Sequence, residues 1–444
     1  MSSDDLMDLH RSHAWQPFTQ MKLAPDPVII NRAEGVFLYT EDGKKIIDAV
    51  GSWWVNIHGH NNPYINNAMK TQLEKFEHVI YAGFTHEGAI QLSSELSKTT
   101  QGHLPRVFFS DNGSTAVEVA LKMAYQYFVN SGRLEKNKFA ALAGGYHGDT
   151  MGAMSAGARS VFHEAFNPLL FPVHYASFPE IPFSLQSDDS ECDKFLKPAY
   201  ESLEKLFGEH GRSLCGFILE PLLQGAGGMR IYPEKYLHRV RDLCSEYEVF
   251  LIADEVFTGI GRTGSMYACE RAGIWPDLMC LSKGLSGGYL PFAATLATEK
   301  IFQGFNSENR NHTLFHGHSM TGSALGCAAS IASLDLMSDK NRLNDVKRIE
   351  NFHRTHLDKI NTGKLKDKIL ETRFIGSVGV VEFDLKQKYT GNFGWDFQKK
   401  SIEKGVLLRT LGPVVYMAPP YIMTDHELEI VYECLESAAL ELLT

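Results

Sequence analysis

Val249-Phe250-Leu251-Ile252-Ala253-Asp254-Glu255, followed by Leu278-Met279-Cys280-Leu281-Ser282-Lys283-Gly284, is the part of this sequence that decides the fold. Each is a short apolar run that stops abruptly at polar residues, as a strand of a buried parallel sheet does. Ligand-handling groups in such sheets sit just past the carboxyl ends of the strands, so Asp254 and Lys283 are expected to face one crevice. An acid and an amine so placed could be an ordinary ion pair. They also suit pyridoxal phosphate, whose aldehyde takes a lysine amine and whose ring nitrogen a carboxylate keeps protonated. Between the two runs, Gly259-Ile260-Gly261-Arg262-Thr263-Gly264 fits the G-x-G-x-x-G pattern of a dinucleotide turn. Several residues separate it from the strand, and the acids Asp254 and Glu255 among them would repel a pyrophosphate. It is read as a tight loop, and a nicotinamide enzyme is set aside.

Composition narrows the class. At 444 residues and 44% apolar, the chain can bury a large core, as two domains or one domain with a lid. A net charge of −10 argues against nucleic acid or an anionic membrane as the main partner, because both need clustered cations. The start, Met1-Ser2-Ser3-Asp4-Asp5-Leu6, is acidic with no apolar run behind it, unlike a secretory or transit signal. Residues 410–424 are uncharged but too short and proline-broken to span a bilayer. Seven scattered cysteines suit reduced thiols in a cytoplasmic protein better than a disulfide framework. His58-Gly59-His60 and His316-Gly317-His318 lack Cys or carboxylate companions, so no metal is expected.

Along the chain, the first thirty residues show no clear period and suggest an arm lying on a surface. Val36–Tyr39 and Lys45–Asp48, around Glu41-Asp42-Gly43, read as a hairpin. Helical spacing covers 63–79 and 88–99. Arg106–Asp111 is a strand, Asn112-Gly113 a turn, and Ser114 the expected N-cap of the next helix, an arrangement whose free amides favour an anion. Phe139–Leu142 is a strand ending at Gly144-Gly145-Tyr146-His147-Gly148-Asp149. Residues 172–190 read as a surface excursion, and 194–210 as a helix. Cys215–Leu219 is a strand ending at Glu220-Pro221, with no role assigned to Glu220 or Gln224. The adjacent Trp53 and Trp54, if extended, must point opposite ways. Helices at 324–337 and 341–360 lead to strands at 378–383 and 406–408, the latter ending at Arg409.

Ala253-Asp254-Glu255-Val256, Gly261-Arg262-Thr263-Gly264 and Ser282-Lys283-Gly284-Leu285-Ser286-Gly287-Gly288 together resemble the class III, fold-type I aminotransferases. The resemblance runs from Trp15-Gln16-Pro17 to Met417-Ala418-Pro419-Pro420-Tyr421. It implies an α/β fold with a large domain around a mostly parallel sheet and a small α/β domain built from both termini. The corresponding division is 1–60, arm and part of the small domain; 61–325, cofactor-binding domain; and 326–444, C-terminal small domain. It further implies a homodimer with shared active sites and pyridoxal 5'-phosphate as cofactor, with small-molecule substrates.

By the same resemblance, Lys283 bonds to the cofactor and moves protons, and Asp254 holds the ring nitrogen. Tyr146 covers one face of the ring and Val256 lies under the other. Gly113 and Ser114 hold the phosphate, joined by Ser319 from the other subunit. One of Trp53 and Trp54 is expected in the core and the other against substrate, with Phe18, Asp149 and Gly317 beside it. Arg409 is expected to fork onto a substrate carboxylate, where its paired donors serve better than a lysine.

Ornithine and 4-aminobutyrate transaminases belong to the same class. The Trp15-Gln16-Pro17-Phe18, Ser52-Trp53-Trp54 and Tyr146-His147-Gly148-Asp149 segments are instead similar to the biotin-pathway members, which aminate 7-keto-8-aminopelargonate. Their usual donor, S-adenosylmethionine, is the expectation here. Those members usually have Tyr where this chain has Phe18, and a lysine-using group resembles this chain at Phe18 and His318.

Overall fold

The computed structural model describes residues 3–186, 189–338, 340–386 and 389–443. A seven-stranded sheet runs in the order Arg106–Ser110, Ala293–Ala297, Leu278–Leu281, Phe250–Asp254, Leu214–Leu219, Lys138–Leu142, Val173–Ala176. Ala293–Ala297 is antiparallel to both neighbours and the remaining pairings are parallel. Side-chain alternation explains why the central strands are apolar throughout. Leu251 and Ala253 enter one core with the helices Asp189–His210 and Glu234–Glu246, while Phe250 and Ile252 enter another with the helix Gly113–Asn130. Each large apolar side chain so buried contributes on the order of 2 kcal/mol.

A separate core joins the two ends of the chain. Val36, Ile47 and Ala49 pack with Leu357, Phe383, Phe397 and Leu435. Strand Val406–Leu407 pairs in parallel with Lys45–Asp48, in a sheet with Ile30–Glu34 and Phe37–Thr40. A further sheet runs Ile369–Ile375, Val378–Phe383, Val414–Met417, Arg409–Leu411. All seven cysteines are buried. No helix among the described residues is long and apolar enough to cross a membrane.

Several expectations are corrected. Residues Ser3–His13 form a helix with no buried residue, so apolar periodicity could not announce it. The helix expected over 63–79 stops at Leu73, which is exposed. Asn112 rather than Ser114 caps the helix Gly113–Asn130, and its side chain accepts from the Thr115 amide at 3.1 Å. The excursion at 172–190 contains the edge strand Val173–Ala176, and its residues 187–188 lie outside the described ones. Arg409 does not end the strand at 406–408 but opens Arg409–Leu411 in the other C-terminal sheet.

Trp53 and Trp54 are not in an extended segment. Gly51, Ser52, Trp53 and Trp54 all have positive φ, at 54°, 45°, 70° and 75°. The Trp54 amide donates to the Val50 carbonyl at 2.8 Å and the Val55 amide to Gly51 at 2.9 Å, closing a left-handed helical turn. Both indoles therefore line one cavity instead of facing opposite ways. Left-handed conformation costs roughly 1–2 kcal/mol for each non-glycine residue, so surrounding contacts must hold it. One is Arg262, fully buried in the Gly259–Gly264 loop, which donates to the Trp54 carbonyl at 2.9 Å and to Ser377 Oγ at 3.1 Å.

Candidate active site

Parallel pairing sets Asp254 against Cys280, so the chain leaves the neighbouring strand three residues before Lys283. Ser282 Oγ donates to the Phe292 carbonyl at 2.8 Å, anchoring the departing backbone. Lys283 then takes φ of +46° and starts a 3-10 turn that ends at the left-handed Gly287. Its Nζ lies 4.6 Å from the Trp54 ring centre and 5.6 Å from that of Phe257. Burial pushes the amine down to about 8, against the pull of Asp254 and Glu220 and helped by the Arg262 charge.

Asp254 is nearly buried and doubly held. Its carboxylate accepts from His147 Nδ1 at 2.7 Å and from the Val256 amide at 3.1 Å. Glu220, at the end of the adjacent strand, accepts from the Tyr146 amide at 3.0 Å and the Gly225 amide at 2.9 Å. It thereby ties the Gly144–Asp149 turn to the loop after Pro221. Burial raises Glu220 to about 7; Asp254 adds to the rise, while His147 and the two amides oppose it.

These groups open onto a cavity of about 630 Å³. Lys283, Asp254, Tyr146, Val256, Gly113, Ser114, Phe18, Trp53, Trp54 and Arg409 all line it. Gly113 and Gly148 are required by close approach. A Cβ on Gly113 would meet Val256 Cγ1 at 2.7 Å, and one on Gly148, whose φ is +120°, would meet Ser114 Oγ at 1.9 Å. Ser114 Oγ accepts from the Asp149 amide at 3.2 Å, which leaves its own proton free to donate. Asp149 accepts from the Tyr146 hydroxyl at 2.8 Å. Burial, then Asp149, hold the Tyr146 proton on.

At the mouth, Phe18 meets Trp53 edge to face at 5.7 Å between ring centres and Phe162 at 5.8 Å. Phe162 in turn meets Tyr389 at 4.6 Å. The Arg409 guanidinium lies 4.3 Å from the Trp53 ring centre, and no carboxylate pairs with it among the described residues. Gly317 and Ser319 do not line the cavity of their own chain. Of the histidine pairs, His58 bonds Ser333 and His60 bonds Asp48, each at 2.9 Å.

The Aminotransferase class-III family profile matches residues 20–439. The chain belongs to the class III aminotransferases. Among relatives of this class, the adenosylmethionine-8-amino-7-oxononanoate aminotransferase of Synechococcus elongatus is 44% identical, covering 95% of this chain and 96% of that one. The enzyme of the same name from Helicobacter pylori is 37% identical over 96% and 95%. The crystal structure of the Methanocaldococcus jannaschii enzyme of that name superposes with a TM-score of 0.91 at 34% identity, over 99% of both chains. An amine transaminase from an uncultivated Pseudomonas species, solved in its PLP-bound form, gives 0.89 at 29% identity, over 97% and 98%.

Pyridoxal phosphate is the cofactor of this class, and the cavity fits it. It offers a poorly solvated amine, a fixed carboxylate, a helix N-terminus and aromatic walls. His147, Glu220, Phe162 and Tyr389 had no assigned role in the sequence. His147 could have been suspected from its place beside Tyr146, whereas the loop aromatics carry no pattern at all.

Proposed function

We propose that this class III aminotransferase works in biotin synthesis, moving an amino group onto 7-keto-8-aminopelargonate (8-amino-7-oxononanoate) to give 7,8-diaminopelargonate. Supporting this are the printed names of the full-length relatives, one of them 44% identical. The observation carrying it is the cavity itself, with Lys283 and Asp254 at its base and Arg409 at the aromatic mouth. When bound, pyridoxal phosphate supplies an aldehyde for an amine and a conjugated ring that accepts the electron pair released at the substrate carbon.

Lys283 Nζ, held largely neutral by burial, is suited to bond covalently and then to carry a proton between substrate carbon and cofactor. Asp254, fixed by His147, is suited to keep a proton on the ring nitrogen. Tyr146 and Val256 would bracket the ring, while Gly113 and the Ser114 hydroxyl would receive the phosphate at a helix N-terminus. Arg409 would take the carboxylate at the far end of the acceptor, with Trp53, Trp54 and Phe18 against its apolar chain and Asp149 at the polar edge.

Gly317 and Ser319, absent from the cavity of their own chain, would complete the site of a second copy, making the active form a homodimer. The same reading divides the chain at 1–60, 61–325 and 326–444, with the helix Ala324–Ser338 running across the second boundary. It places the enzyme in the cytoplasm.

S-adenosylmethionine is the proposed donor, its sulfonium set against indole faces. Lysine is the second reading, favoured by Phe18, which meets Trp53 and Phe162 edge to face and has no hydroxyl to offer. Borohydride should fix the cofactor on Lys283, and the gene should restore growth without biotin to a strain lacking this step. Soluble protein without rescue would overturn the substrate, and an unlabelled Lys283 the chemistry.

A further inference from the structure

The His58-Gly59-His60 segment has no place in the reading above, yet one of its rings reaches the turn that carries Lys283. Ser333 Oγ, on the helix Ala324–Ser338, donates to the Gly284 carbonyl at 2.9 Å. A hydroxyl has one proton and a carbonyl can only accept, so the proton is committed to that bond. His58 Nε2, 2.9 Å from the same Oγ, must then be the donor. This defines the tautomer: Nε2 carries the hydrogen, and Nδ1 is bare, buried and unpartnered. Both residues are buried, His58 at 1% and Ser333 at 0% exposure.

Gly284 follows Lys283 directly, and its carbonyl also accepts from the Gly287 amide that closes the 3-10 turn. The far end of the turn rests on the same ring, because a Cβ on Gly287 would lie 3.3 Å from His58 Cδ2. His58 thus meets the turn at both ends, through Ser333 at Gly284 and by packing at Gly287. The turn needs such support because Lys283 occupies the left-handed region at φ +46°. We propose that His58 is a positioning residue for Lys283: through Ser333 it holds the Gly284 carbonyl, and with it the strained turn that aims the amine. This rests on Lys283 being the reacting amine. Neutrality suits the task, since a proton on Nδ1 would place a cation where no acceptor waits and where the Arg342 charge repels it.

The test compares His58→Ala, Ser333→Ala, the double variant and His58→Gln, whose amide N–H can replace the Nε2 donor. The first readout is the rate at which pyridoxal phosphate attaches to folded apoprotein, followed by visible absorbance. The second is the pH midpoint of that absorbance in the holoenzyme, and the third is kcat against KM. Each alanine variant is expected to slow attachment about tenfold or more and to shift the midpoint, with kcat reduced and KM within about twofold. The double variant should be no worse than Ser333→Ala, because both remove one chain of bonds. His58→Gln should recover attachment to within about threefold of the unaltered protein. Unchanged attachment and midpoint in both alanine variants, additive losses, or a glutamine variant as slow as the alanine one would each overturn the positioning role. Borohydride trapping of the unaltered protein separates the two claims, since an unlabelled Lys283 there sinks the functional reading instead.

Discussion

Lys283 meets two demands that pull against each other: a carboxylate neighbour favours its charged form, while burial favours the neutral form that bonds to an aldehyde. Burial prevails, bringing the amine down to about 8. About a tenth of the apoprotein then carries a neutral Lys283 at pH 7. The rate of cofactor attachment should accordingly climb to about pH 8 and level off above it; a climb continuing past pH 10 in stopped-flow absorbance would contradict the burial argument. The linkage has a definite sign. Between about pH 8 and the ordinary lysine value the unfolded chain binds the proton and the folded apoprotein does not, so this residue adds stability as pH rises through that window. Lys283→Met should flatten that rise in chemical denaturation of the apoprotein. Phe18 offers a second single-residue test. Phe18→Tyr adds a hydroxyl worth on the order of 1 kcal/mol at the cavity mouth, and should raise the kcat/KM ratio of S-adenosylmethionine to lysine severalfold in half-reactions. An unchanged ratio would remove Phe18 from donor choice.

Among the elements, the strands of the central sheet were legible because apolar runs ending at Asp254, Lys283 and Glu220 record burial on both faces. What sequence could not show were features made by contacts from afar. The left-handed turn at Gly51–Trp54 contains one glycine and three residues that disfavour it, and it is held by Arg262 from a loop over two hundred positions away. Trp53 and Trp54 were therefore assigned to opposite faces although both reach the site. The cap was misplaced by two residues because Asn112, Ser114 and Thr115 all suit that position, and only the reciprocal Asn112–Thr115 bonds decide it. Most candidate site residues converge on one cavity, whereas Gly317 and Ser319 do not. The turn at Gly144–Asp149 gives an element-scale prediction. Gly148→Ala places a methyl group on Ser114 Oγ in a backbone conformation that disfavours it. Affinity for pyridoxal phosphate, titrated by absorbance, should fall at least about tenfold while the circular dichroism of the fold is retained.

For the whole molecule, the proposed sharing of Ser319 between copies can be read from mixed oligomers. Ser319→Asp sets a negative charge toward the partner's phosphate, and Lys283→Ala removes the amine, so each pure variant should be inactive. Refolded together in equal amounts, half of the dimers pair one of each and hold one intact site, giving about a quarter of full activity. No recovery in a mixture shown to contain mixed dimers would place Ser319 outside the partner's site. The burial of all seven thiols has a consequence of another kind. A native sample should be silent to a thiol-reactive dye, and each cysteine becomes a clock that starts when its own surroundings open. Cys434 sits in the core that joins the chain ends, while Cys215, Cys244, Cys269, Cys280 and Cys327 sit around the central sheet. With the smaller core giving way first, dye should reach Cys434 at denaturant concentrations that leave the other five protected, and the chain would report the order of its own unfolding without any engineered label.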